Sequence, residues 1–119
     1  MRYLLLIYTE EVDPATVSAE REREVYEAYS GFTREARERG VMVGGEALQQ
    51  TPSATTVRVR DGKTLVTDGP FAETKEALGG FYLLDVKDLD EALEFAAKLP
   101  GSWWGTVEVR PIWEVELPG

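Results

Sequence analysis

Asp68 stands in a Thr-Asp-Gly-Pro-Phe run and Glu46 in a Gly-Gly-Glu-Ala-Leu run, two settings that surround a carboxylate with small or apolar neighbours. A carboxylate held in an apolar cleft binds protons abnormally and can serve as a general acid or base. If the two converge, like-charge repulsion raises one pKa and gives an acid/base pair or an oxygen-rich cation site. Spacing along the chain leaves that convergence open. It also leaves open plainer roles, with Asp68-Gly69-Pro70-Phe71 as a rigid bend and Glu46 as an exposed residue of an alternating strand.

Other side chains fit around these two. Phe71 would form an apolar wall beside Asp68, and Lys75 would hold an anionic ligand or balance Asp68, unless it belongs to a solvated charged loop. Arg110 is suited to gripping a carboxylate bidentately, or equally to an intersubunit salt bridge. Tyr3, Tyr8 and Tyr82 fall in apolar runs where a ring packs and its hydroxyl seeks a polar partner. Trp103 and Trp104, set between glycines in Gly-Ser-Trp-Trp-Gly, would line a ligand pocket or plug an interface.

What the chain lacks is equally informative. It contains no cysteine and no histidine, which removes disulfides, thiolate nucleophiles, cysteine zinc sites and the commonest general base and metal ligand. Proton transfer through carboxylates fits the remaining inventory better than nucleophilic catalysis, and no motif names a cofactor or a metal. The net charge of −9 opposes binding to phosphate backbones and anionic lipid. Met1-Arg2 leads into an apolar run far too short to span a bilayer, so the expectation is a soluble, cytoplasmic protein that binds neither nucleic acid nor membrane.

The elements that must position these groups follow from periodicity. Arg2–Tyr8 is short and uniformly apolar, which predicts a strand covered on both faces. Ser18 caps a helix whose stripe is Val25, Ala28, Tyr29, Phe32 and Ala36, with Gly40 as its stop and Arg23/Glu27 and Arg34/Glu38 as surface pairs. Val41–Leu48 reads as a strand interrupted by a bulge or close approach at Gly44-Gly45. Thr56–Thr67 reads as a hairpin turning at Asp61-Gly62, with Val57 opposite Val66 and Val59 opposite Thr64. Phe81–Val86 is another apolar strand, and Asp88 and Glu91 have the spacing of a capping box. Leu89, Ala92, Leu93, Ala96 and Leu99 form the next inward stripe, ending at Pro100-Gly101. Thr106–Val115 is a last strand, at an edge because of Pro111.

Without the hairpin, the order is strand, helix, strand, strand, helix, strand. That is the split βαβ pattern of an α+β, ferredoxin-like fold, here with an inserted β-hairpin in a single domain spanning residues 1–119. Both helices then cover one face of the sheet, yet the first and third core strands are apolar on both faces. A face-to-face homodimer, the dimeric α+β barrel, answers the exposed face.

The runs RYLLLIY, GGEAL, TTVRVRDGKTLVTDGPFAETKE, GGFYLLDVKDLDEAL and VEVRPI together resemble the YCII-related (DGPF) domain family of small bacterial proteins over most of residues 2–112. The resemblance implies a homodimeric ferredoxin-like barrel with a cleft near the DGPF corner. In the wider group a His–Asp pair is the proposed active centre. Asp68 matches the acidic role, and no residue of this chain matches the histidine. The resulting expectation is a homodimer that binds a small, anionic metabolite near Asp68, with Glu46 and Arg110 nearby. The alternative is a regulatory module whose partner is a sigma factor or another regulatory protein, as the resemblance also implies.

Overall fold

Strand β1 (Arg2–Thr9) alternates strictly, with Tyr3, Leu5 and Ile7 buried and Leu4, Leu6 and Tyr8 half-buried. The computed structural model describes residues 1–116. In chain order β1 is followed by α1 (Ala19–Glu38), β2 (Met42–Ala47), β3 (Thr55–Arg60), β4 (Lys63–Asp68), β5 (Ala77–Asp85), α2 (Leu89–Ala96), α3 (Gly101–Trp104) and β6 (Thr106–Pro111). Strands β2-β5-β1-β6 make one antiparallel sheet and β3-β4 a second, two-stranded one. This is the ferredoxin-like order with an inserted hairpin, as the sequence predicts.

Local chemistry sets the helix boundaries. The Ser18 hydroxyl accepts the Arg21 N–H (3.1 Å), satisfying one orphan donor of α1. At α2, Asp88 accepts the Glu91 N–H (2.9 Å), while the Glu91 carboxylate reaches back to the Lys87 N–H (3.1 Å). The reciprocal bond of this capping box thus lands one residue before the cap.

The core lies between the helices and one face of the larger sheet. Leu5, Leu84, Phe95 and Leu99 are fully buried there, each side chain contributing roughly 1.5–3 kcal/mol through removal from water. Phe32 links α1 to the sheet by packing against Tyr82 in a tilted arrangement, with ring centroids 4.6 Å apart. Phe95 meets Phe32 edge-on at 5.8 Å.

Helices cover only one face of β1, and its other face is open within the chain, as the two-helix order of the sequence implies. Several other expectations need correction. Leu89 and Leu93 are each 47% exposed, and Phe95 occupies the core in their stead. Counting apolar residues favoured leucine positions at helical spacing, but α2 is rotated so that its one aromatic points inward. The Gly-Ser-Trp-Trp-Gly segment forms a short helical turn, and β6 ends at Pro111, leaving Trp113 exposed beyond it. On α1, Glu35 pairs with Arg39 (3.6 Å), while Arg23/Glu27 and Arg34/Glu38 form no salt bridge among the described residues.

The hairpin matches its predicted register, with Val57 opposite Val66 and Val59 opposite Thr64. Asp61 and Gly62 turn it with φ of 51° and 74°, the paired positive angles of a two-residue hairpin loop. Its strands are exposed almost throughout. The molecule measures 48 × 45 × 20 Å with a radius of gyration of 16.7 Å, against about 13–14 Å for a compact chain of this length.

Candidate functional site

On the sheet face turned away from the helices, the strand registers create two clean rows. Glu46, Phe81, Leu6 and Glu108 lie side by side across β2, β5, β1 and β6, and Gly44, Leu83, Leu4 and Arg110 form the next row. The middle of this face is apolar and its flanks are charged. Arg110 donates to both carboxylate oxygens of Glu108, at 2.9 and 3.0 Å, so its charge is answered within the chain. Tyr8 occupies the same face one row further on, opposite Thr106.

Where β1, β2 and β5 meet near this face lies a cleft of about 430 Å³, in a part of the sheet with two register irregularities, of which only the one at Gly79 lines it. The β1–β5 register shifts beside Tyr8, leaving Gly79 as an extra residue, and the β2–β5 register shifts around Val43. Glycine is required at Gly45, because a Cβ there would lie 2.6 Å from Tyr82 Cδ1 and 2.8 Å from the Phe81 carbonyl oxygen. The sequence therefore located a close approach here correctly.

Glu46 and Phe81 contribute to this cleft from the open face, and Ile7, Tyr82 and Tyr29 from the helix side. Burial pushes the Tyr29 hydroxyl above the usual tyrosine range. Nearby Tyr82 adds to that shift, and the Gly101 N–H acts against it. The site thus brings an acidic residue and a tyrosine to mostly apolar walls.

Asp68 lies elsewhere. It ends β4, exposed and opposite Thr55, on the two-stranded sheet. Backbone and threonine groups fix the bend that follows, with the Gly69 N–H donating to the Ala54 carbonyl (2.6 Å) and the Thr56 hydroxyl to the Gly69 carbonyl (2.8 Å). Gly69 has φ of 97°, open to glycine and strained for other residues. Phe71 is 78% exposed. Neither Asp68 nor Phe71 lines the Glu46 cleft within the chain. Lys75 is exposed in the following loop, where Glu76 accepts a hydrogen bond from the Thr106 hydroxyl (2.9 Å).

Comparison with known proteins identifies the lineage. The model of the YCII-related domain matches residues 1–116. The chain belongs to the YCII-related domain family. It is also similar to an uncharacterized protein of Rhizobium meliloti (strain 1021), 42% identical over 114 residues that cover 94% of this chain and 92% of the relative.

Of the residues singled out in the sequence of this YCII-related chain, Glu46 and Tyr82 share one cleft, while Arg110 and Tyr8 share the open face with Glu46. Asp68, Phe71 and Lys75 lie on the hairpin end and its loop. Tyr29 was read only as part of the α1 stripe. Its signal was a polar-tipped ring on an otherwise apolar face, two turns of helix away from Ala36 and one from Phe32. No helix among the described residues of this YCII-related chain is long and apolar enough to cross a membrane.

Proposed function

We propose that this YCII-related protein acts as a homodimer that binds a small metabolite in the Glu46 cleft, where Glu46 serves as the proton-accepting group and Tyr29 as a neutral hydrogen-bonding partner. The supporting observation is that the cleft draws Glu46 and Phe81 from the uncovered sheet face. A second copy laid on that face would bury Leu4, Leu6, Phe81 and Leu83 and add the missing wall of the cleft. The projecting hairpin supports the same reading. Its Val57, Val59 and Val66 are each about 60% exposed and need a surface outside their own chain. In such a dimer, Asp68 and Phe71 of the partner subunit are candidates for completing the site, which would reconcile the DGPF corner with a cleft it does not reach in one chain.

Two measurements test this reading. Light scattering at micromolar concentration should give twice the chain mass, and Leu6→Glu should give a folded monomer. A wild-type monomer would overturn the dimer and favour the regulatory module, with the hairpin serving a sigma factor or another protein partner. Thermal unfolding across a panel of small metabolites should then show stabilisation that Glu46→Gln removes. Stabilisation unchanged by Glu46→Gln would displace the site from this cleft, and its selective loss in Asp68→Ala would support completion of the site across the dimer.

A further inference from the structure

A second, larger cleft of about 760 Å³ opens between the N-terminal half of α1, the loop after β1, and α3. It shares Thr9 and Tyr29 with the Glu46 cleft and is otherwise built from different residues. Its size is within the range of about 300–1,000 Å³ usual for small-molecule sites. Val12, Val17 and Val25 supply apolar wall, and Trp104 supplies an aromatic one.

The wall is held in place by specific contacts. Gly101 lets α3 press against β1, because a Cβ there would collide with the Ile7 side chain. The Trp103 indole N–H donates to the Ala97 carbonyl (3.0 Å), which fixes the turn carrying Trp104. The outer loop is tied down as well, since Gln50 donates to the Val12 carbonyl (2.8 Å) and the Thr51 N–H to the Glu11 carboxylate (2.8 Å). An Asp13 cap bonded to the Ala15 N–H (2.9 Å) shapes the turn between them.

Arg21 gives this cleft its chemistry. Its guanidinium carbon lies 4.2 Å from the centroid of a Trp104 ring, and among the described residues no carboxylate comes within ion-pair distance of it. Arg2, Arg39, Lys98 and Arg110 have such partners, and what sets Arg21 apart from the other cations without one is its place over the Trp104 ring in the cleft wall. Stacking uses the face of a guanidinium and leaves its N–H edges free, which suits bidentate capture of a carboxylate. Arg21 also sits in the first turn of α1, where the helix dipole disfavours a cation and favours an anion beside it. Glu10 and Glu22, both exposed, line the cleft too and oppose any anion in it, so a preference for an acid requires direct contact with Arg21 to outweigh them.

We infer that this cleft binds an amphipathic monocarboxylate, with its carboxylate on the edge of Arg21 and its apolar body against Val17, Val25 and Trp104. The inference does not rest on the dimer or on the role of Glu46.

Isothermal titration of the full chain with 4-phenylbutyrate, its amide and the matching amine tests it. The acid should bind once per chain, at least tenfold more tightly than the amide, with the amine weakest. Arg21→Gln should erase the preference for acid over amide while leaving thermal unfolding unchanged. Trp104→Leu should weaken acid and amide together. Glu46→Gln should leave acid binding intact, so that failure here is distinguishable from failure at the other cleft. Absence of saturable acid binding to the folded chain, equal binding of acid and amide, tighter binding of the amine, or a preference that survives Arg21→Gln would each overturn the inference.

Discussion

The guanidinium carbon of Arg39 lies 4.5 Å from the centroid of the Phe95 ring, so a charged side chain at the end of α1 caps the one aromatic of α2, which is fully buried. Lys98 approaches the same ring at 5.4 Å. The two cations are fixed by acids from both helices. Arg39 bonds Glu91 (2.6 Å) and Glu94 (3.1 Å), and Lys98 bonds Glu35 (2.8 Å). One ring therefore joins the apolar core to the polar clamp that holds the helices together.

Phe95→Ala should cost about 3–5 kcal/mol, the range for emptying a buried aromatic site. Urea denaturation monitored by circular dichroism reads this as a lower midpoint with an unchanged slope. A loss below about 1 kcal/mol would show that the site collapses freely or that the ring is not central to the core.

The clamp predicts a specific dependence on acid. The Lys98 hydrogen bond, helped by the charges of Lys98 and Arg39, holds the Glu35 carboxyl below the usual glutamate range against the effect of burial. The Arg39 hydrogen bond and charge do the same for Glu94. A carboxylate with a depressed folded-state pKa contributes its stability above the unfolded value of about 4.3 and loses it as pH falls through the lower folded value. Lys98→Met should therefore be less stable than wild type at neutral pH, and the difference should shrink as pH falls and vanish at a pH low enough to protonate these carboxylates in the folded state. A difference that persists at that pH would locate the role of Lys98 in packing on Phe95.

Gly45→Ala and Gly44→Ala should behave oppositely. At Gly45 the new methyl meets the Tyr82 ring and the carbonyl of Phe81, and the carbonyl belongs to a paired strand that cannot move away. A loss of about 1–3 kcal/mol is expected from such overpacking. At Gly44 nothing lies within 4 Å, so alanine should be neutral or stabilising through reduced backbone freedom. Thermal unfolding of both variants checks this, and similar effects at the two positions would refute the close approach at Gly45.

Element types and strand order were legible because they rest on local signals. Ser18, Asp88 and Asp61-Gly62 mark boundaries through their own hydrogen bonds or backbone angles, and the uniformly apolar run of β1 already revealed two apolar faces. The rotation of α2 was not legible, because Leu89, Leu93 and Phe95 are all apolar and only packing decides which turns inward. The site was legible in part for the same reason. Glu46 stood out through its glycines, whereas the Arg21–Trp104 stack joins residues far apart in sequence that carry no common motif. Asp68 drew attention through a turn in which Gly69 is bonded to Ala54 and Thr56, a local arrangement that does not bring Asp68 to the Glu46 cleft within the chain.

The hairpin pairs with itself from Thr55 opposite Asp68 to Arg60 opposite Lys63, in a sheet separate from the one that forms the core. Its register is thus closed, and an added or deleted pair of residues at the tip leaves every core contact where it was. Reach becomes a quantity that can drift independently of folding. Core packing therefore sets no limit on the length of the hairpin at Asp61-Gly62, and a longer or shorter tip leaves the fold of the four-stranded sheet unchanged.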